Sequence, residues 1–296
     1  MAVEHFTRPM RVSDVPAVQR LTAEAFDELD RRTLPRNWPI PPPRSERSAL
    51  TWRRRIEHIL DHDARGCWVA EDDSGLIGAS AAIKRDLTWI LATYVVRRSS
   101  QGHGVGKQLL DVSMAYGGGC LRGMLAASAD PKAARRYRLA GFTMHPTMLC
   151  TGKVDRHLLP VVERVRDGSA SDIDLMNSVD RQVRSSAHGV DHELLTQMHR
   201  LVVIDRSTGS GYVYLEPGGG PYLLAATNRR TATDLLWESL AASSPDGSCT
   251  IGRVTVENEW AVDVAMAARM GLHSLGYLAL RDMKPPLPYL PCGPFL

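Results

Sequence analysis

Little in this sequence points toward a membrane or an oxidising compartment. No apolar run approaches the roughly 18 residues that a spanning helix needs. The opening Met1-Ala2-Val3-Glu4-His5 carries neither the basic nor the apolar segment of a signal peptide. The expectation is therefore a cytoplasmic protein with no membrane partner. The five cysteines, Cys67, Cys120, Cys150, Cys249 and Cys292, are odd in number, scattered and without C-x-x-C spacing. That excludes a disulfide framework and a zinc ribbon and leaves them as reduced packing residues. Lysine is scarce, 5 against 31 arginines, and the formal net charge is only +3, so no nucleic-acid partner is expected. No Gly-x-Ser-x-Gly elbow supports a hydrolase.

What is present is the composition of an ordinary globular protein: 44% hydrophobic, 23% charged, with 24 Gly and 18 Pro among 296 residues. That length exceeds what one core usually organises and suggests two domains. The first half opens with a strand over about His5 to Met10. A helix follows from Ser13-Asp14-Val15-Pro16, with Ser13 as N-cap, to about Phe26. Val15, Val18, Leu21, Ala25 and Leu29 recur at helical spacing and mark its core face. The prolines from Leu34 to Pro43 favour an extended loop, and a second helix is expected from Ser48 to His62. From Cys67 to Val96, short apolar runs separated by Asp72-Asp73-Ser74-Gly75 and Lys84-Arg85-Asp86 read as an antiparallel meander. A glycine-bearing loop, a helix, a strand, a helix after Pro131 and a last strand from Phe142 complete the order β-α-α-β-β-β-α-β-α-β. The fold class is α/β in the α+β mixed-sheet sense.

After residues 155–162, which read as a linker, a weaker copy of the same grammar runs over 163–296. It starts at Ser171-Asp172 and includes strands near Leu201, Gly211, Tyr222, Thr250 and Leu275. Domains of 1–154 and 163–296 follow, related by internal duplication. The last stretch, from Lys284 to Leu296, has too many prolines to be helical and is apolar enough to dock.

The stretch with most chemical content is Tyr94-Val95-Val96 followed by Arg97-Arg98-Ser99-Ser100-Gln101-Gly102-His103-Gly104-Val105-Gly106-Lys107. A strand ends, glycines let the backbone curl, and a helix begins with unpaired N–H groups facing outward, a geometry that binds phosphate or pyrophosphate. A Walker A loop does not fit, because only three residues separate Gly102 from Gly106 and Gln108 follows Lys107. A dinucleotide fingerprint fails at Lys107, where its third glycine would stand.

Gln101, Gly104 and Gly106 fit the Gln/Arg-x-x-Gly-x-Gly/Ala loop of the GNAT superfamily of acyl-CoA-dependent N-acetyltransferases. The segment Asp130-Pro131-Lys132-Ala133-Ala134-Arg135-Arg136-Tyr137-Arg138-Leu139-Ala140-Gly141-Phe142 resembles that family's Asn-x-x-Ala-x-x-x-Tyr-x-x-x-Gly-Phe. The resemblance covers residues 1–154. It implies two tandem GNAT-like domains, each a mostly antiparallel mixed sheet flanked by helices, with acetyl-CoA as co-substrate. Tyr94, Val95 and Val96 would then offer strand backbone to pantetheine between splayed fourth and fifth strands. Gln101, Gly102, His103, Gly104, Val105, Gly106 and Lys107 would hold the pyrophosphate, and Tyr137 would protonate the departing thiolate. Asp130 departs from the family's Asn and puts one cofactor contact in doubt. The second half lacks the loop: Asn228-Arg229-Arg230-Thr231 stands in its place, and Ala267 replaces the tyrosine. The cofactor is thus expected in the first domain only.

For the amine's proton, Glu71, Asp86, His103 and a water chain are equal candidates as base, and the Leu296 carboxylate is a further one. Asp27, Glu28 and Asp30, with Trp38, Trp52 and Trp89, are candidates for acceptor recognition. His58 and His62, and His188 and His192, lie four apart, but no third ligand is evident, so surface histidines and no metal are expected. The leading expectation is an acetyltransferase acting on the primary amine of a small molecule, as monomer or homodimer. The alternatives are a non-catalytic acyl-CoA-binding sensor and a protein N-acetyltransferase.

Overall fold

The computed structural model describes residues 5–34, 38 and 45–296; apart from Leu34 and Trp38, the proline loop falls outside them. Two compact units emerge, one formed by residues up to 124 with 130–136, the other by 125–129 and 137–296.

In the first unit, β1 (Phe6–Pro9), β2 (Cys67–Asp72), β3 (Gly75–Arg85) and β4 (Thr88–Val96) lie side by side in that order, all antiparallel. This is the meander read from the sequence. Helix α1 (Val15–Thr33) buries Val15, Val18 and Leu21. It runs past Phe26 because Asp27 to Arg32 contain no breaker, and it stops where Leu34 turns extended ahead of Pro35. Ser13 is not its cap. A 3-10 turn, Val12–Asp14, precedes the helix, and the Asp14 carboxylate accepts from the Arg11 amide. Helix α2 (Glu46–Asp63) is capped by Ser45, whose hydroxyl accepts from the Ser48 amide. Helix α3 (Val105–Tyr116) packs Val105 and Leu109 against Ala70 and Ile77. Strand β5 (Arg122–Ala127) begins beside β4, with the Leu121 and Arg122 amides donating to the Leu87 carbonyl. Most of α4 (Pro131–Leu139) follows in this unit.

The second unit contains β6 (Thr143–Gly152), β7 (Arg166–Asp167), α5 (Ile173–Arg184), α6 (Asp191–Met198), β8 (Arg200–Arg206), β9 (Gly209–Leu215) and β10 (Pro221–Ala226). These are followed by α7 (Arg229–Ala241), β11 (Cys249–Thr255), α8 (Trp260–Ala267), β12 (Gly271–Arg281) and β13 (Tyr289–Leu290). From β7 to β12 the order of helices and strands repeats that from β1 to β6. The repeat extends to one ion pair. Arg8 on β1 grips Asp14 at 2.7 Å, and Arg166 on β7 grips Asp172 with the same six-residue spacing. One sheet runs β13-β10-β9-β8-β7. Beside it, β6 is antiparallel to β11 along one edge and to β12 along the other. A division at residue 154 therefore does not coincide with the compact units, because both edges of β6 are satisfied by strands of the later half. The core of this unit joins Val213, Leu224, Leu235, Ile251, Val264 and Leu290.

The cysteines are all free, four of them buried and Cys120 partly so. Among the described residues no helix is long and apolar enough to cross a membrane.

Candidate functional site

The loop after β4 is shaped by two glycines. Gly102 and Gly104 both have φ of +91°, and a Cβ on either would meet nothing within 4 Å. The left-handed backbone favours glycine, and the empty space leaves room for a ligand to reach the main chain. Gly104 is the N-cap of α3, and the Gln108 amide is the first to bond back, to the Gly104 carbonyl. The amides of Val105, Gly106 and Lys107 have no carbonyl one turn earlier, as at any helix start. Together with the helix dipole they form a small cradle of the kind that can hold an anion.

Neighbouring side chains hold this cradle in place. The Tyr94 hydroxyl donates to the Gly106 carbonyl at 2.7 Å, and a Cβ on Gly106 would stand 2.5 Å from that oxygen. A side chain at Gly106 would displace the tyrosine hydroxyl. Burial pushes the Tyr94 phenol up to about 12, so it stays a neutral donor at physiological pH. The Gln101 amide nitrogen donates to the Val96 carbonyl at 3.2 Å, while its Oε1 is buried without a hydrogen-bond partner. Val95 and Val105 are buried; His103 and Lys107 are exposed, and Lys107 pairs with Asp111 along α3. A cavity of about 180 Å³ lies beside the loop, lined among others by His5, Asp72, Ser74, Arg97, Ser100 and His103. Hydrogen bonds from the Ser74 side chain and amide hold the Asp72 carboxyl below its usual range.

Asp130 caps the start of α4, accepting from the Lys132 amide at 2.9 Å, and its second oxygen lies 3.4 Å from Arg32. Those carboxylate contacts stand where the resembling family has an amide. Tyr137 falls in the second unit, 5% exposed, with its ring edge-on to Phe142 at 6.5 Å between centroids.

Glu71 and Trp89 lose their expected roles. Glu71 is held by Arg8 at 2.9 Å, in the same cluster that grips Asp14, so it is an ion-pair partner rather than a poised base. Asp86 sits at φ of +45° in the turn between β3 and β4. Trp89 is fully buried with its indole nitrogen donating to the Ser113 carbonyl, which makes it core rather than a wall for an acceptor. Glu28 is tied to Arg98 at 2.7 Å. The Phe295 carbonyl accepts from Arg184 of the second unit, and Phe295 and Leu296 are both buried.

Sequence reasoning also missed a buried polar cluster. His188 and His192 are fully buried, not surface residues. One oxygen of Asp180 accepts from His188 Nδ1 at 2.7 Å and from His192 Nε2 at 3.1 Å, and Tyr212 donates to the other at 2.5 Å. His188 Nε2 accepts in turn from the buried Arg184 at 3.1 Å. These are metal-ligand residue types, and the three candidate atoms lie within 4.8 Å of one another. Each is already satisfied by hydrogen bonds, and a guanidinium stands beside them. Burial pushes His188 down to about 4, aided by the nearby Arg184 charge. The signal in the sequence was Asp180 itself, but only the turn between α5 and α6 brings it to the histidines.

The chain matches none of the curated proteins in sequence. Its fold is shared with solved structures of low identity. An acetyltransferase candidate from Pyrococcus horikoshii superposes with a TM-score of 0.71 at 15% identity, over 95% of this chain and 90% of that one. A GCN5-related N-acetyltransferase from Sphaerobacter thermophilus gives 0.59 at 14% identity, over 96% and 97%. Residues 23–142, which include β4, its glycine loop and α3, match the acetyltransferase (GNAT) family.

Proposed function

We propose that the chain is an acetyl-CoA-dependent N-acetyltransferase that acetylates the primary amine of a small molecule, with the coenzyme bound by residues 1–154 alone. The observation that carries this reading is the cradle at Gln101 to Lys107, where two left-handed glycines leave open space in front of a helix start. When bound, the coenzyme supplies an activated acyl thioester. The chain's own part is to bind and orient: the main-chain N–H groups of 102–107 would hold the pyrophosphate, and the backbone of Tyr94 to Val96 would offer strand hydrogen bonds to the pantetheine. Strand N–H groups of β4 would be the donors available to a thioester carbonyl held there. Tyr137, by the family resemblance, would be the group that gives a proton to the sulfur. Glu71 is engaged by Arg8, which supports deprotonation of the amine through water rather than by that carboxylate.

In the second unit, Asn228 caps α7 with its own side chain, accepting from the Thr231 amide at 3.0 Å, and no glycine opens the turn. This supports one coenzyme per chain.

Gly104→Glu tests the reading, since it places a carboxylate in the cradle on a strained backbone. Calorimetry with acetyl-CoA is expected to show affinity reduced at least 100-fold; unaltered affinity sinks the assignment. Coenzyme release with a panel of small amines separates enzyme from sensor, and Tyr137→Phe is expected to lower turnover at least tenfold without changing acetyl-CoA affinity. Tight binding with no product from any acceptor would favour the sensor.

A further inference from the structure

In the second unit, a segment of the chain itself lies along β10. Strand β13 pairs antiparallel with β10, Leu290 opposite Leu224 and Tyr289 opposite Ala225, and the Ala226 amide donates to the Pro288 carbonyl. Asn258, at the start of the α8 region, uses both ends of its amide on the same segment. Its Nδ2 donates to the Pro286 carbonyl at 2.9 Å, and its Oδ1 accepts from the Tyr289 amide at 2.9 Å. Leu290 joins the core with Ile251 and Val254 of β11, and Gly293 lies against the Arg253 guanidinium, where a Cβ would come within 2.8 Å.

By the repeat of elements, β10 corresponds to β4, and Asn258 follows β11 as Asp130 follows β5. The place along β4 assigned above to an amide-bearing arm is, along β10, taken by peptide. We propose that the groove beside β10 is a binding slot for an extended amide chain, clamped by Asn258, and that residues 286–290 occupy it as an internal ligand. The chemistry is that of strand addition: main-chain bonds to an edge give the attachment, and buried side chains such as Tyr289 and Leu290 fix the register. The parallel with β4 rests on the reading of the first unit; the slot itself rests on contacts within residues 221–293.

The test is a chain shortened to end at Lys284, offered a synthetic peptide of residues 285–296. The expected result is saturable one-to-one binding by calorimetry, recovery of the thermal midpoint lost on shortening, and at least tenfold weaker peptide binding when Asn258→Ala is added. A folded shortened chain that ignores the peptide overturns the proposal. Should the shortened chain fail to fold, hydrogen exchange on the full chain decides. Asn258→Ala is then expected to speed exchange at the Tyr289 and Ala226 amides at least tenfold while β3 and β4 amides stay unchanged, and equal rates overturn the slot. Loss of acetyl-CoA binding at Gly104 leaves both readouts intact, so the two readings fail separately.

Discussion

Asp180 is buried together with Arg184, yet His188 stands between them, accepting from the guanidinium and donating to the carboxylate. The imidazole is neutral in the folded chain because burial and Arg184 oppose its proton. An unfolded histidine takes up that proton near pH 6.5, the folded one only near pH 4. Folding stability from this group is therefore intact above about pH 6.5 and falls as pH drops from there to about 4, by on the order of 3 kcal/mol. His188→Gln is expected to flatten that part of the pH–stability curve in urea titrations, while lowering stability at neutral pH. A slope unchanged by the substitution would show that another group carries it. This cluster was not legible from the sequence, because two histidines four apart look like one exposed helix face. In the structure His188 lies in the turn before α6 and only His192 is on that helix. By contrast, the curl of the loop was legible in Gly102 and Gly104, which both adopt positive φ, since a glycine in that conformation leaves a mark that burial does not obscure.

At the scale of elements, the strands of the first unit and the helix starts were readable from alternation and turn residues. Some caps were not. Ser13 does not cap α1: it lies inside the 3-10 turn, and Asp14 at the N-cap position makes no side-chain bond into the helix, because Arg8 from β1 holds its carboxylate beside the Arg11 amide, a contact no local pattern announces. Asn228 at α7 is a clearer case, capping from its own side chain and also donating to the Thr208 carbonyl at 2.9 Å. Asn228→Ala is expected to cost about 1 to 2 kcal/mol, read as a lowered urea midpoint at unchanged slope. No change at all would mean the helix start is held from elsewhere. Strand β13 escaped detection because two residues among prolines carry no periodicity; its pairing is dictated by β10 and Asn258.

Over the whole molecule, the repeated order of elements was legible, and an arginine–aspartate pair recurs at the same place in it. The place where the compact units divide was not, because it depends on pairings between residues far apart in the chain. Two repeats of one element order, of which only the first has a glycine-opened helix start among the described residues, lead to a stoichiometry. Titration of the intact chain is expected to saturate at one acetyl-CoA, and a second equivalent binding with similar affinity would contradict the difference between the Gly104 and Asn228 turns.

Strand β6 carries a consequence for biosynthesis. Its two neighbours, β11 and β12, are encoded well downstream of it. A nascent chain emerging from the ribosome thus holds β6 with both hydrogen-bonding edges bare until the later half has been made, a period in which a bare strand is prone to wrong partners. Completion of the fold is timed by synthesis of the far end of the sheet.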